Sequence, residues 1–429
     1  MSANKIRAFL ISIGAFAPFL CSVPQASATP AFSRQTGQSC AACHFQRYPL
    51  LNAYGRSFKA NGYTQTGKQE TIEDNSLSLP VTLNAAVVTK LRYVKTNGSS
   101  SDGTNGGEFN MPDEASLFLA GRIAKNIGYQ ADISLGRDKA LLAGFKMPFV
   151  FPQNDFILSA IPFFTDSQGP AYGYELLNTG AVEFSRPFEN AAETSAQQYL
   201  VQTANEDNGG TTGVALVFHH KYGYLSYTPY ITSYKDFPGD FTNTTPHQFM
   251  SYVRGVVTPE KVGNFELAAG FQLWKGSSSM HVNDSNGVPV PTTTHKADAW
   301  AVDGQAQGKV GNYPLGVYVA YGSAAKTEEG ATPNDFNKET AANKTAFTIA
   351  ADMGVVPSKL GLGLAYRIAN SGSGGSDGEN AVTLAATYNI AKNVLLQVNH
   401  SFYSYGADFI RPTPDVGDQK TSLVLFSAF

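Results

Sequence analysis

The sequence predicts an all-β fold, an antiparallel barrel of the outer-membrane kind with about 16 to 18 strands. Three observations carry this. From Val81 onward, side-chain character alternates with a period of two, the signature of half-buried strands. In Ile127–Leu135 the odd positions are Ile, Tyr, Ala, Ile and Leu, and the even ones Gly, Gln, Asp and Ser. The connections then alternate in length, as they do in outer-membrane barrels. Short turns at Lys125-Asn126, Gly311-Asn312, Pro357-Ser358 and Ala391-Lys392 separate long polar loops at Thr96–Asn110, Lys275–Lys296, Ala324–Asn343, Asn370–Asn380 and Tyr405–Gln419. Composition agrees: only 15% of residues are charged, with 41 Gly, 21 Tyr and 28 Phe, against roughly 25% charged in a soluble domain. A formal net charge of −3 offers no basic face for nucleic acid.

The first element is an export signal. Lys5 and Arg7 precede an apolar run from Ala8 to Leu20, and Ala26-Ser27-Ala28 supplies the small-x-small cleavage pattern. The run is too short to span a membrane as a helix, which needs about 20 residues. Cleavage after Ala28 removes residues 1–28 and, with them, Cys21. The mature protein then divides into a segment at 29–63, a polar linker at 64–80 and a barrel at 81–429. Inside the barrel, Pro148, Pro152 and Pro162 blur the stretch from Leu141 to Phe163, because proline fits poorly in a ladder. The final strand, Thr421–Phe429, closes on an aromatic carboxyl terminus. A soluble sandwich or propeller is the rival fold; against it, tryptophan-marked blade repeats are absent, with only Trp274 and Trp300 present.

Segment 29–63 carries the chemistry. Its two cysteines stand in Cys40-Ala41-Ala42-Cys43-His44. In an exported protein, this C-x-x-C-H spacing reads as a c-type haem attachment site. Residues three apart share one side of a helical turn, so both sulfurs can form thioethers to one porphyrin. His44 follows as the proximal iron ligand. A structural zinc site would need about four N/S ligands, a dithiol oxidoreductase would need a βαβ context, and a plain disulfide leaves His44 without a role. Downstream, Pro49–Asn61 reads as one helix, with Pro49 at its first position and Asn61-Gly62 as its stop. Leu51, Tyr54 and Phe58 form an apolar stripe able to cover a haem face or to dock on the barrel. Arg56 and Lys59 are candidates for the haem propionates or for plain solvation. So short a segment buries too little surface to enclose a porphyrin alone, so the barrel must supply the cover, with the haem segment in or at its lumen.

Pro30–Gly37 followed by Cys40–His44, the run Leu51–Thr64, and the stretches Gly169–Gly180 and Glu193–Tyr199 resemble the fused monohaem cytochrome c–porins of iron-oxidising bacteria. The likeness covers the cytochrome segment closely and the barrel more loosely; Tyr54 stands where many relatives carry Phe. The resemblance implies a 16-stranded barrel in the bacterial outer membrane that oxidises extracellular Fe(II) through one covalent haem c and passes electrons to a periplasmic c-type cytochrome. That activity would make it an Fe(II) oxidase. Cys40, Cys43 and His44 carry over; a distal ligand does not. Two other functions fit the sequence: a porin whose haem segment acts as a plug or sensor, and a relay for a different extracellular redox partner.

The segment holds no methionine and no second histidine, so a sixth ligand must come from elsewhere or be water. Outside it stand His219, His220, His247, His281, His295 and His400, with Met111, Met147, Met250, Met280 and Met353. Strand alternation places one of His219 and His220 inward. Acidic loops, with Glu328, Glu329, Asp335 and Glu339 in one and Asp408, Asp415 and Asp418 in another, could attract a hard ferrous ion.

Overall fold

The computed structural model describes residues 31–67, 69–74, 77–99, 104–136, 142–181, 187–202, 210–232, 244–246, 248–283, 288–374, 378–404 and 417–429. The expected export signal lies outside the described residues.

The wall is a closed antiparallel barrel of 16 strands. In sequence order they are β1 (Ala85–Thr96), β2 (Glu108–Ala124), β3 (Ile127–Ser134), β4 (Leu142–Lys146 and Phe149–Pro152), β5 (Phe156–Thr165), β6 (Thr211–His220), β7 (Gly223–Thr232), β8 (Thr244–Pro246 and Met250–Val257), β9 (Glu266–Asn283), β10 (Pro289–Val310), β11 (Tyr313–Ala324), β12 (Lys344–Val356), β13 (Leu360–Asn370), β14 (Ala381–Ala391), β15 (Val394–Tyr403) and β16 (Gln419–Ala428). Both halves of β4 pair with β3 and β5, and the second half of β8 bridges β7 to β9. The count is 16, the lower end of the expected range. Met147-Pro148 makes the break in β4, where proline has no N–H for the ladder.

Closure joins the first and last strands of the barrel. β16 pairs with β1 from Lys420↔Thr96 to Ala428↔Val88, and the backbones of Phe429 and Val87 exchange hydrogen bonds of 2.9 and 2.7 Å. A closed barrel leaves no unpaired edge, which hydrocarbon would not tolerate. Alternation then sorts the faces. On β13, Leu362, Leu364, Tyr366 and Ile368 point outward, while Ala365, Arg367 and Ala369 are buried inside. Leu216, Phe218, Leu225 and Tyr227 continue the apolar outer band. An apolar outer band around a polar interior is the arrangement of a bacterial outer-membrane barrel, and that is where this protein belongs. Such barrels carry their short turns on the periplasmic side. Here those are 125–126, 153–155, 221–222, 311–312, 357–359 and 392–393, and both barrel termini lie at the same end.

Two expectations are corrected. Lys275–Lys296 is not a loop: β9 and β10 stay paired from Lys275↔Asp298 to Asn283↔Pro289, with a bulge at Ser279–His281. Polar Ser and Thr mark this stretch as leaving the membrane, but backbone pairing needs no apolar side group. Nor is everything after Val81 wall. The described part of the connection between β5 and β6 (166–181 and 187–202) folds into the lumen, with helices at Ala191–Thr194 and Ala196–Gln202. Tyr199 and Leu200 are fully buried against inward alanines including Ala297, Ala299, Ala301, Ala320 and Ala346. Small residues on that wall leave the space which the loop fills.

Candidate functional site

The N-terminal segment lies inside the short-turn end of the barrel. It folds as α1 (Ala31–Thr36), α2 (Cys40–Cys43) and α3 (Ala53–Ala60). α2 is one helical turn, closed by His44 N–H to the Cys40 carbonyl at 3.0 Å. Cys40 and Cys43 on it are unpaired and half-buried. After His44 the backbone doubles back. The Leu50 carbonyl accepts from Phe45 N at 2.8 Å and faces His44 Nδ1 at 3.1 Å. A carbonyl only accepts, so Nδ1 carries the proton and Nε2 keeps its lone pair. Burial pushes the imidazole below its ordinary pKa, with smaller opposing effects from the Leu50 and Pro49 backbone; the ring is neutral at pH 7.

Asn52 holds α2 against α3. Its backbone N–H donates to the Cys43 carbonyl at 3.0 Å, and its side-chain amide donates to the Ala42 carbonyl at 2.9 Å. The amide oxygen caps α3 by accepting from Gly55 N at 2.9 Å. This corrects the expected helix start: α3 begins at Ala53, because the Asn52 cap outcompetes Pro49. The stop at Asn61-Gly62 stands, with Gly62 at φ +64°. The expected stripe divides, since Leu51 precedes the helix, Tyr54 is exposed and Phe58 is buried. Phe58 meets Phe32 edge-on at 5.1 Å.

Anchors to the wall are specific. Arg47 pairs with Asp352 on β12 at 2.5 Å, with both side groups buried, and donates to the Pro187 carbonyl at 2.7 Å. Arg56 pairs with Glu266 on β9 at 3.1 Å and donates to Gln307 on β10. It is therefore committed to the wall rather than solvated or available to propionates. Tyr48 stacks on Phe426 of β16 at 4.8 Å. The Gln35 amide oxygen accepts from Arg122 N at 3.0 Å. From the lumenal loop, Asn178 exchanges hydrogen bonds with the Leu51 backbone at 2.8 and 3.2 Å. Burial also lowers Lys59 from 10.5 to about 8, with Glu175 opposing. An unfolded segment keeps that proton up to 10.5 while the docked one releases it near 8, so the docked state gains stability as pH rises across that window. Protease protection of segment 31–63 is expected to increase between pH 8 and 10.5.

The structure sorts the ligand candidates by place. Met111 is exposed near the long-loop end of β2. His220 shares the outward face of Phe218, and Met353 lies on the outward face of β12, opposite in parity to buried Asp352. His400 points outward to Thr421 Oγ1 at 2.8 Å, and His295 faces Asp335 at 3.1 Å. Met250 is buried with Trp274 in the cluster around the lumenal helices. Met147 sits in the break of β4 rather than on a strand face. His247 and the side groups of His281 and Met280 lie outside the described residues. Among the described candidates, His219 is the one on the lumen face near the short-turn end, across from Tyr224. Of the acidic loop residues, Asp335 is buried and bound to His295, while Glu328, Glu329 and Glu339 are exposed. Asp418 accepts from Asn97 at 2.8 Å, and Asp408 and Asp415 lie outside the described residues.

Two free thiols on one turn, followed by a neutral imidazole with Nε2 available, form a donor set that fits a covalent haem c. Neither a second metal-ligand group nor a closed cysteine pair competes for them among the described residues. Sequence reasoning missed Asn52 and Arg47 as the residues that hold this turn in place. The Asn after the His44–Leu51 loop was a readable cap signal; the Arg47–Asp352 pair left none.

Fold and insert together define an outer-membrane β-barrel of 16 strands, its lumen occupied at the short-turn end by its own N-terminal segment. The protein is similar to OmpT of Vibrio cholerae, at 11% identity over 84% of this chain and 100% of that one, with a TM-score of 0.46. It is similar to OprB of Pseudomonas putida, at 11% identity over 81% and 94%, TM-score 0.48. It is also similar to OmpF of Salmonella typhi, solved in complex with daunomycin, at 13% identity over 84% and 100%, TM-score 0.45. No family model matches the sequence, and no curated protein does.

Proposed function

We propose that this protein carries electrons across the outer membrane through one haem c attached at Cys40 and Cys43 and ligated by His44, taking them from extracellular Fe(II) and delivering them to a periplasmic c-type cytochrome. On this reading it is one of the fused monohaem cytochrome–porins that its N-terminal motif resembles. The supporting observation is the placement of the C-x-x-C-H turn within the periplasmic mouth of the lumen, fixed by Asn52, Arg47 and Tyr48. Bound there, the haem supplies reversible one-electron exchange. The protein's own part is positional. The Leu50 carbonyl orients His44, the wall limits water, and α3 leaves Ala53, Tyr54 and Ser57 exposed beside the attachment turn, where a partner could approach.

A solute pore is the weaker reading. The described part of the β5–β6 loop packs across the lumen, with Glu175, Gln197, Tyr199 and Leu200 fully buried. Purified protein is expected to give a pyridine-haemochrome spectrum, and stopped-flow mixing with Fe(II) is expected to reduce the haem rapidly. Reduction by another donor but not by iron would shift the reading to a relay for that donor. Solute flux in liposomes without redox turnover would replace it with a porin.

A further inference from the structure

The lipid-facing wall is not evenly convex. Near the short-turn end of β4 to β7 it carries a groove of about 420 Å³, within the roughly 300–1,000 Å³ of small-ligand sites. Alternation explains its shape, because residues paired across a ladder share one face. Outward on β5, Ala160 pairs with Phe149 of β4 and Leu216 of β6. Its methyl group forms the floor. Leu158 and Phe218 pair beside it, and Phe218 and Leu216 in turn meet Leu225 and Tyr227 of β7. These larger groups stand as walls on the exposed outer face. A small residue among large ones leaves a slot that close packing favours filling. The slot is continuous with the apolar band that meets lipid, so acyl chains are the molecules that reach it.

Charges below the groove add a second feature. Lys221 is exposed at the tip of the β6–β7 turn, about 10 Å along the strand from Phe218 at ~3.3 Å per residue. Its ammonium lies over the Tyr222 ring at 4.6 Å. Glu260 after β8 and Asp155 on the β4–β5 turn act on its charge from either side, and Glu260 also accepts from Tyr222 Oη at 3.3 Å. Among the described residues, Lys221 closes an ion pair with neither carboxylate. One cation between two carboxylates complements a zwitterionic head, with phosphate toward Lys221 and amine toward Asp155 or Glu260.

We infer that this groove is a binding site for one phospholipid of the periplasmic leaflet, with an acyl chain over Ala160 and an amine-bearing zwitterionic head at Lys221. The site lies on the outside of the wall and does not depend on the haem reading.

The test uses full-length protein purified in detergent and stripped of lipid. It is titrated with dioleoyl phosphatidylethanolamine or dioleoyl phosphatidylglycerol and read by native mass spectrometry. Ala160→Phe fills the floor of the groove, and Lys221→Glu reverses the charge at an exposed turn. Ala351→Phe repeats the first change on the outward face of β12, where Ala351 pairs with exposed Leu364. Retained heat-modifiable migration in gels shows each barrel folded. The wild type is expected to bind one phosphatidylethanolamine per barrel, several-fold more tightly than phosphatidylglycerol. Ala160→Phe and Lys221→Glu are each expected to lower that affinity several-fold, and Ala351→Phe to match the wild type. Equal binding of the two lipids, or equal affinity in Ala160→Phe, Ala351→Phe and the wild type, would overturn the assignment and leave only a general lipid shell. A wild-type dimer or trimer that Ala160→Phe dissolves would overturn it as well, making the groove a contact between copies of the chain.

Discussion

An Arg254→Met variant is expected to turn a closed barrel into a leaky one. Arg254 on β8 is fully buried between two carboxylates, Glu175 of the lumenal loop at 2.8 Å and Asp303 of β10 at 2.5 Å. Its second terminal nitrogen reaches the other Asp303 oxygen at 3.0 Å. The guanidinium therefore ties the loop to two wall strands. Methionine fills similar space but leaves two buried carboxylates facing each other without their cation, a loss of about 3–5 kcal/mol. The cheapest relief is for Glu175 to leave, taking the loop with it. Planar bilayers should show steady ion conductance in the variant and little in the wild type. Arg254→Lys should rescue only in part, because one ammonium cannot serve both carboxylates with the fork geometry of arginine. A silent bilayer with Arg254→Met would mean that the loop's other anchors, Arg367 to the Ala192 carbonyl at 3.1 Å and Tyr403 to Glu193 at 2.5 Å, are enough.

On the proposed haem c reading, Gly55→Val is expected to lower haem attachment and to leave the barrel folded. A Cβ at Gly55 would collide with the Cys43 carbonyl oxygen and lie 3.0 Å from a Leu51 methyl carbon. Since the first contact is backbone, relief means moving α2 off α3. That breaks the Asn52 bonds to Ala42 and Cys43 and swings His44 away from the Leu50 carbonyl. Overpacking of this kind costs about 1–3 kcal/mol, which a barrel of 16 strands absorbs but a segment of three short helices does not. Haem content per folded barrel, read by haem staining, should fall several-fold, with the barrel still heat-modifiable. Ser57→Ala, at an exposed position on the same helix, should leave it unchanged. Full haem content in Gly55→Val would show that attachment does not depend on the α2–α3 contact.

Much of the architecture was legible because it is written locally. Alternation is a relation between i and i+2, so β13 and β14 could be read as Leu, Tyr and Ile facing lipid against Ala, Arg and Thr facing inward. Short turns could be told from long loops for the same reason. The C-x-x-C-H motif is local too: Cys40, Cys43 and His44 share a single turn, and their spacing requires nothing else to be known. Where local rules competed, the reading slipped. Pro49 offered a helix start, but Asn52 offered both a cap and a clasp on the preceding carbonyls, and the clasp decided it.

What the sequence by itself determined is therefore the barrel, and the spacing that sets Cys40, Cys43 and His44 on one turn. Only the tertiary structure decided that the described residues between β5 and β6 turn inward, that Arg56 belongs to Glu266, that Arg47 belongs to Asp352, and which wall lies beside the Cys40–Cys43 turn. These are pairings between residues 140 to 306 positions apart in cases such as Arg47 with Pro187 and Gln46 with Asp352. A periodic strand reveals which face points into the lumen, but not what stands opposite. The partner depends on where each strand falls around the cylinder, and strand position is fixed only when the last strand meets the first.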